Sequence, residues 1–175
     1  MKEALLALAA LLAPGDPTLV AALTAAIEQP ATFLDGHDVT KDRLSASTDA
    51  AKDPQLPWLA LVDLLIEAHR AVELDWKLGA EDVIWNLEQL EGWKTLSDER
   101  RKSVAALEGD GPTVEVLRVC AAQLAADHRV LGVLDIDSDS YVTVLLGESD
   151  YPKAAELAHR AGFTLKDIRH FDPNA

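Results

Sequence analysis

Three carboxylates stand at alternate positions in the segment Asp135-Ile136-Asp137-Ser138-Asp139-Ser140. Their spacing fits three kinds of chemistry. The first is calcium binding, since Asp135, Asp137 and Asp139 take places one, three and five of a twelve-residue calcium loop. Such a loop needs glycine at its sixth place and glutamate at its twelfth, where this chain has Ser140 and Leu146. The second is phosphoryl transfer, with Asp135 at the end of an apolar strand attacking phosphorus and Asp137 moving the proton. The third is conformational: aspartate and serine side chains bond neighbouring backbone amides and settle tight turns. The flanking runs, 130–136 and 141–146, are rich in leucine and β-branched residues. Two such runs joined by small polar residues predict a hairpin, so the turn is the preferred reading. Within it, Asp137 and Asp139 can form part of a partner-binding edge. A metal-dependent hydrolase or phosphotransferase centred on Asp135, Asp137 and Asp139 stands as the alternative.

The elements that would position this hairpin are mostly helical. An apolar run at 4–13 predicts a first helix stopped by Pro14 and Gly15. Asp16 and Pro17 open a second, with Leu19, Leu23 and Ile27 on one face. The short spacer makes them an antiparallel pair, and their apolar surface calls for burial in the domain or against another subunit. A homodimer through this pair is expected if Leu5, Leu8, Leu12, Leu19 and Leu23 cannot share one core. Residues 31–56 read as a loop with a short surface helix at 40–51. From Pro57 a helix buries Trp58, Leu61, Val62, Leu65 and Ile66 and turns Asp63, Glu67 and Arg70 to solvent. Residues 72–77 alternate, as a short strand or an extended link would. Helices follow at 80–91, from Ser97 to residue 108, and from Asp110 or Thr113 to residue 128. After the hairpin, Asp150 caps a helix that ends at His159, Arg160 and Gly162, and 163–171 is a last strand. The order predicts an α+β fold: one helix-rich domain, 1–175, with a small, mainly antiparallel C-terminal sheet (β-β-α-β).

Composition narrows the function. The 175 residues carry 30 acidic and 16 basic side chains, a net charge of −14. A field of that sign repels phosphate backbones and anionic membranes, which argues against both as partners. One cysteine rules out a disulfide within the chain and any cysteine-rich zinc site. The run at 4–13 is half the length a membrane-spanning helix needs, and Lys2 and Glu3 cancel where a leader would be basic, so a cytoplasmic chain is expected. The histidines His37, His69, His128, His159 and His170 form no HExxH or i, i+4 pair. Cys120 lies among apolar helix residues and reads as an inert thiol. Trp58, Trp76, Trp85 and Trp93 read as core anchors, with a surface binding cluster as the other possibility. Phosphate-loop, dinucleotide and nucleophile-elbow motifs are missing from the sequence, and no cofactor is implied.

The motifs Leu74-Asp75-Trp76-Lys77, Glu81-Asp82 and Asp137-Ser138-Asp139-Ser140-Tyr141 together resemble a bacterial domain-of-unknown-function family. Its members are small single domains, and the resemblance implies no established activity or catalytic residues. The late strand pair is also similar to the SUKH superfamily of toxin-immunity proteins. Separately, the strand ending in Asp135 and Asp137 resembles the haloacid-dehalogenase motif, though the acidic pair that family carries downstream has no counterpart after Asp139. The expected function is therefore a non-enzymatic protein-binding module, of the toxin-immunity kind in one version. Its partner would be another protein, of basic character. The binding candidates are Asp135, Asp137, Asp139, Tyr141, Asp75 and Trp76.

Overall fold

The computed structural model describes residues 1–107 and 111–172. Helices α1 (Lys2–Leu12) and α2 (Pro17–Glu28) form the packed pair that the sequence predicts. Asp16 Oδ1 accepts the Leu19 amide at 3.0 Å and Pro17 occupies the first turn, so α2 starts where its cap chemistry places it. Leu5, Leu8, Leu12, Leu19 and Leu23 are all buried within the chain. The condition that would have called for a second copy over this pair is therefore not met.

The segment read as a loop folds more than predicted. Pro30 opens α3 (Pro30–Leu34), and α4 (Asp38–Arg43) follows in place of a helix at 40–51. Phe33, Leu34, Thr40 and Leu44 are buried here. Elements this short carry too few apolar residues to show a period, and tertiary packing rather than propensity holds them. Helix α5 (Leu56–Glu67) buries its apolar face as expected, but Asp63 is not on a solvent stripe: it is 4 % exposed.

Four strands make one antiparallel sheet. They are β1 (Ala71–Asp75), β2 (Arg129–Leu134), β3 (Ser140–Gly147) and β4 (Leu165–Asp167), in the order β1-β3-β2-β4. The alternating stretch at 72–77 is thus a real edge strand, added to the three predicted. The last strand is shorter than 163–171, because the Asp167 carboxylate accepts the Arg169 amide at 2.9 Å and turns the chain into a 3-10 helix at Ile168–His170. Helices α6 (Ala80–Leu87), α7 (Asp98–Ala105), α8 (Thr113–Leu124) and α9 (Tyr151–Ala161) complete the fold. Ser97 caps α7 as predicted, and Gly162 ends α9 in the left-handed region at φ +90°. Asp150 stands at the N-cap of α9 without a side-chain bond to its first turn. The other predicted start of α8, Asp110, and the predicted end of α7 lie outside the described residues.

Each sheet face is covered by helices. Ala71, Val142, Val144, Leu146 and Leu134 meet α1, α2, α5 and α9 on one side. Val72, Leu74, Leu131 and Val133 meet α6, α7 and α8 on the other. Gly132 lets these layers close, since a Cβ there would lie 2.8 Å from Leu165 Cδ1 and 3.3 Å from Val144 Cγ2. Among the described residues, no helix is long and apolar enough to cross a membrane.

The second face holds one unmatched polar group. Thr143, opposite Val72 and Val133, is fully buried, and its hydroxyl finds no hydrogen-bond partner among the described residues. Replacing it with valine keeps the shape and removes the desolvation penalty. Thr143→Val should therefore stabilise the protein by about 1 kcal/mol in urea unfolding, and a loss of stability would show that the hydroxyl is satisfied in solution.

Candidate functional site

The hairpin turn is built by its own side chains. Asp135 Oδ1 accepts the Asp137 amide at 3.1 Å, and Asp137 takes a left-handed conformation at φ +56°, which aspartate tolerates better than most residues. Ser138 Oγ accepts the Ser140 amide at 3.2 Å and lies 2.9 Å from Ser140 Oγ. The base of the turn is tied to both layers. Trp58 Nε1 donates to the Asp135 carbonyl at 2.6 Å, and the Asp135 amide donates to the Thr164 carbonyl at 3.0 Å. Trp58 itself is buried and stacks on Phe163 with centroids 4.7 Å apart.

This ridge forms one wall of an open cleft of about 860 Å³, whose other walls are the start of α8, Trp76 and the segment after β4. Asp135, Asp139, Tyr141 and Trp76, separated by some sixty positions of sequence, line it together. Trp76 is 44 % exposed, with Lys77 Nζ 4.4 Å from its ring centroid. Tyr141 meets Phe171 edge-on at 6.0 Å, and Lys166 Nζ lies 5.7 Å from the Phe171 ring. Burial pushes the Tyr141 hydroxyl up from its ordinary value against the opposing pull of Arg118, so the phenol stays protonated at neutral pH. The cleft's arginines are turned to inner partners: Arg118 Nη2 donates to the Phe171 carbonyl at 2.5 Å, and Arg169 forks onto the Asp167 carboxylate. Asp139 and Glu115, in contrast, stand exposed on the rim. The cleft thus presents Trp76 and the carboxylates Asp139 and Glu115, while its guanidinium groups are engaged by the Phe171 carbonyl and the Asp167 carboxylate, that of Arg169 remaining partly exposed.

Two of the six candidate residues lie elsewhere. Asp137 sits on the far side of the ridge. Asp75 Oδ1 accepts the Lys77 amide at 2.8 Å, a local turn contact, while its carbonyl accepts from Thr113 Oγ1 at 2.7 Å and ties the first residue of α8 to β1. The exposed position of Trp76 also corrects its reading as a core anchor. Trp85 is likewise 61 % exposed, whereas Trp58 and Trp93 are buried.

Behind the cleft lies a charged cluster that periodicity did not reveal. Asp63 accepts from Thr40 Oγ1 at 2.7 Å and from Arg43 Nε at 2.8 Å. The other edge of the same guanidinium donates to Glu73 at 3.2 and 2.5 Å, and Ser140 Oγ donates to Glu73 Oε1 at 2.5 Å. Burial alone would raise Glu73, but the bonds from Arg43 and Ser140 outweigh it and hold the carboxyl below its ordinary range. A continuous polar chain therefore runs from α5 through β1 to the hairpin. One sign of it was available: Glu73 sits between the strand residues Val72 and Leu74, facing the same side as Ala71.

Among the described residues, no group of three or more His, Cys, Asp or Glu is placed to hold a metal ion, so Asp135, Asp137 and Asp139 do not converge as metal chemistry requires. His37 stacks on Phe33 at 3.7 Å, and its Nδ1 lies 2.7 Å from the Phe33 carbonyl. Cys120 is fully buried, and burial pushes its thiol up to about 12, which leaves no thiolate at neutral pH.

The fold and cleft define an α+β domain whose antiparallel sheet lies between helical layers and ends in an aromatic, acid-rimmed groove. The chain belongs to the DUF6630 family, a domain of unknown function, whose family model matches residues 4–169. No curated protein and no solved structure matches it.

Proposed function

We propose that the chain is a cytoplasmic, non-enzymatic binding module whose cleft takes a basic segment of a partner protein. The observation that supports this most is the pairing of a half-exposed Trp76 with Tyr141 and the rim carboxylates Asp139 and Glu115 in one groove. Aromatic faces attract cations, and carboxylates add charge and hydrogen bonds that fix register. The rest of the chain supports the same choice, because a net charge of −14 steers basic partners and repels nucleic acid. A basic toxin is one such partner.

A display library of random octapeptides tests the proposal. Selected sequences should be enriched in lysine and arginine next to an aromatic or aliphatic residue. Trp76→Ala should weaken the best of them about thirtyfold, the loss typical of a binding hot spot, without lowering the melting temperature. Selection of neutral or acidic sequences, or binding that Trp76→Ala leaves untouched, would overturn the proposal.

A further inference from the structure

The hairpin ridge has a second hollow on its far side. This pocket, of about 470 Å³, is lined by Trp58, Phe163, Gly162, Pro54, Ile136 and Asp137. Asp135 and Ile136 line both it and the main cleft, so the two are separated only by the ridge. The ridge is held at its base by the Trp58 and Thr164 bonds and at its end by Ser140 on Glu73. A chain crossing it would meet a surface already ordered, which lowers the entropy lost on binding.

The composition of the second pocket differs from that of the first. The stacked Trp58–Phe163 pair lines it together with Met1, and the exposed carboxylates Asp135 and Asp137 stand at its edge. We infer that the partner segment is extended and bipartite: its cationic part lies against Trp76 and Asp139, it crosses the ridge, and an apolar side chain enters the pocket over Trp58 and Phe163. The occupant is thus a basic peptide followed by an aliphatic or aromatic anchor. The continuous acidic line Asp139, Asp137 and Asp135 along the ridge supplies the charge complementarity for its cationic stretch. This inference rests on the reading of the main cleft as a site for basic segments.

The four indole N–H groups, from Trp58, Trp76, Trp85 and Trp93, provide separate reporters in protein labelled with 15N-tryptophan. Two probes are titrated: a tetrapeptide of lysine, arginine and tyrosine, and the same peptide extended by four residues that end in leucine. The short peptide should shift the Trp76 signal and leave Trp58 in place. The long one should shift both and bind at least tenfold tighter. Thr164→Trp, which fills the second pocket, should remove the tenfold gain and leave the short peptide's affinity unchanged; a melting curve confirms that this variant is folded. A Trp76 shift with Trp58 silent, or equal affinity for the two peptides, overturns the bipartite segment while the reading of the cleft stands. Silence of both signals overturns the two together.

Discussion

Arg43→Ala should lower the unfolding free energy by about 3–5 kcal/mol, the largest effect expected of a charge-removing change in this chain. The cause is what the substitution leaves behind. Asp63 is 4 % exposed and is left with the Thr40 hydroxyl once Arg43 is gone, while Glu73 loses both of its guanidinium bonds. Removing one member of a buried pair strands the other, whereas removing both charges relieves much of the penalty. Arg43→Met combined with Asp63→Leu should therefore be less destabilised than Arg43→Met alone in urea unfolding. The same cluster sets a pH dependence. Glu73 is held below its ordinary value in the folded state, so its contribution is fully present only well above the unfolded value of about 4.3, from about pH 5.5 upward, and is lost as pH falls through the folded value. Arg43→Ala should flatten that acid limb. A loss below about 1 kcal/mol, the size of an exposed ion pair, would show that the cluster is solvated.

Trp58→Ala should cost a similar amount, about 3–5 kcal/mol, through the cavity left by a buried ring. Its second consequence is local. The indole N–H that bonds the Asp135 carbonyl is lost, and with it one of the ties at the base of the hairpin. Trp58→Phe keeps most of the packing against Phe163 and drops only the bond, at about 1–2 kcal/mol. Both variants should speed amide exchange in residues 137–140 beyond what the loss of global stability explains. If Trp58→Phe leaves exchange in the hairpin unchanged, the indole bond does not order the ridge.

The parts of this structure legible in the sequence are those where one local rule decides the outcome. The hairpin follows from two β-prone runs around small polar residues, and α2, α7 and α9 begin or end at Asp16, Ser97 and Gly162 for reasons of capping. What stayed hidden depends on neighbours remote in sequence. Asp63 reads from the sequence as part of a polar stripe, and it is the approach of Arg43 and Thr40, twenty or more positions upstream, that makes its burial tolerable. Phe33 and Leu44 lie in segments too short to show a period. Of the candidate site, motif and residue type single out Asp135, Asp139, Tyr141 and Trp76, but their meeting in one cleft follows from the pairing of β1 with β3. That pairing sets Asp75 opposite Ser140 and so brings the Trp76 end of β1 to the hairpin. Arg118 and Phe171 carry no local signal of their place in the cleft, since one sits on the flank of a helix and the other follows a 3-10 turn where the sequence suggests a strand.

The most direct measurement is the affinity of the intact chain for two peptides of equal length at low salt, one built of lysine and tyrosine and one of glutamate and tyrosine, compared with the charge-reversed variant Glu115→Lys/Asp139→Lys. Preference for the lysine peptide by at least tenfold, abolished or inverted by the double reversal, is the predicted result. Equal binding of the two peptides, or a preference that survives the reversal, would contradict a cleft that selects its partner by positive charge.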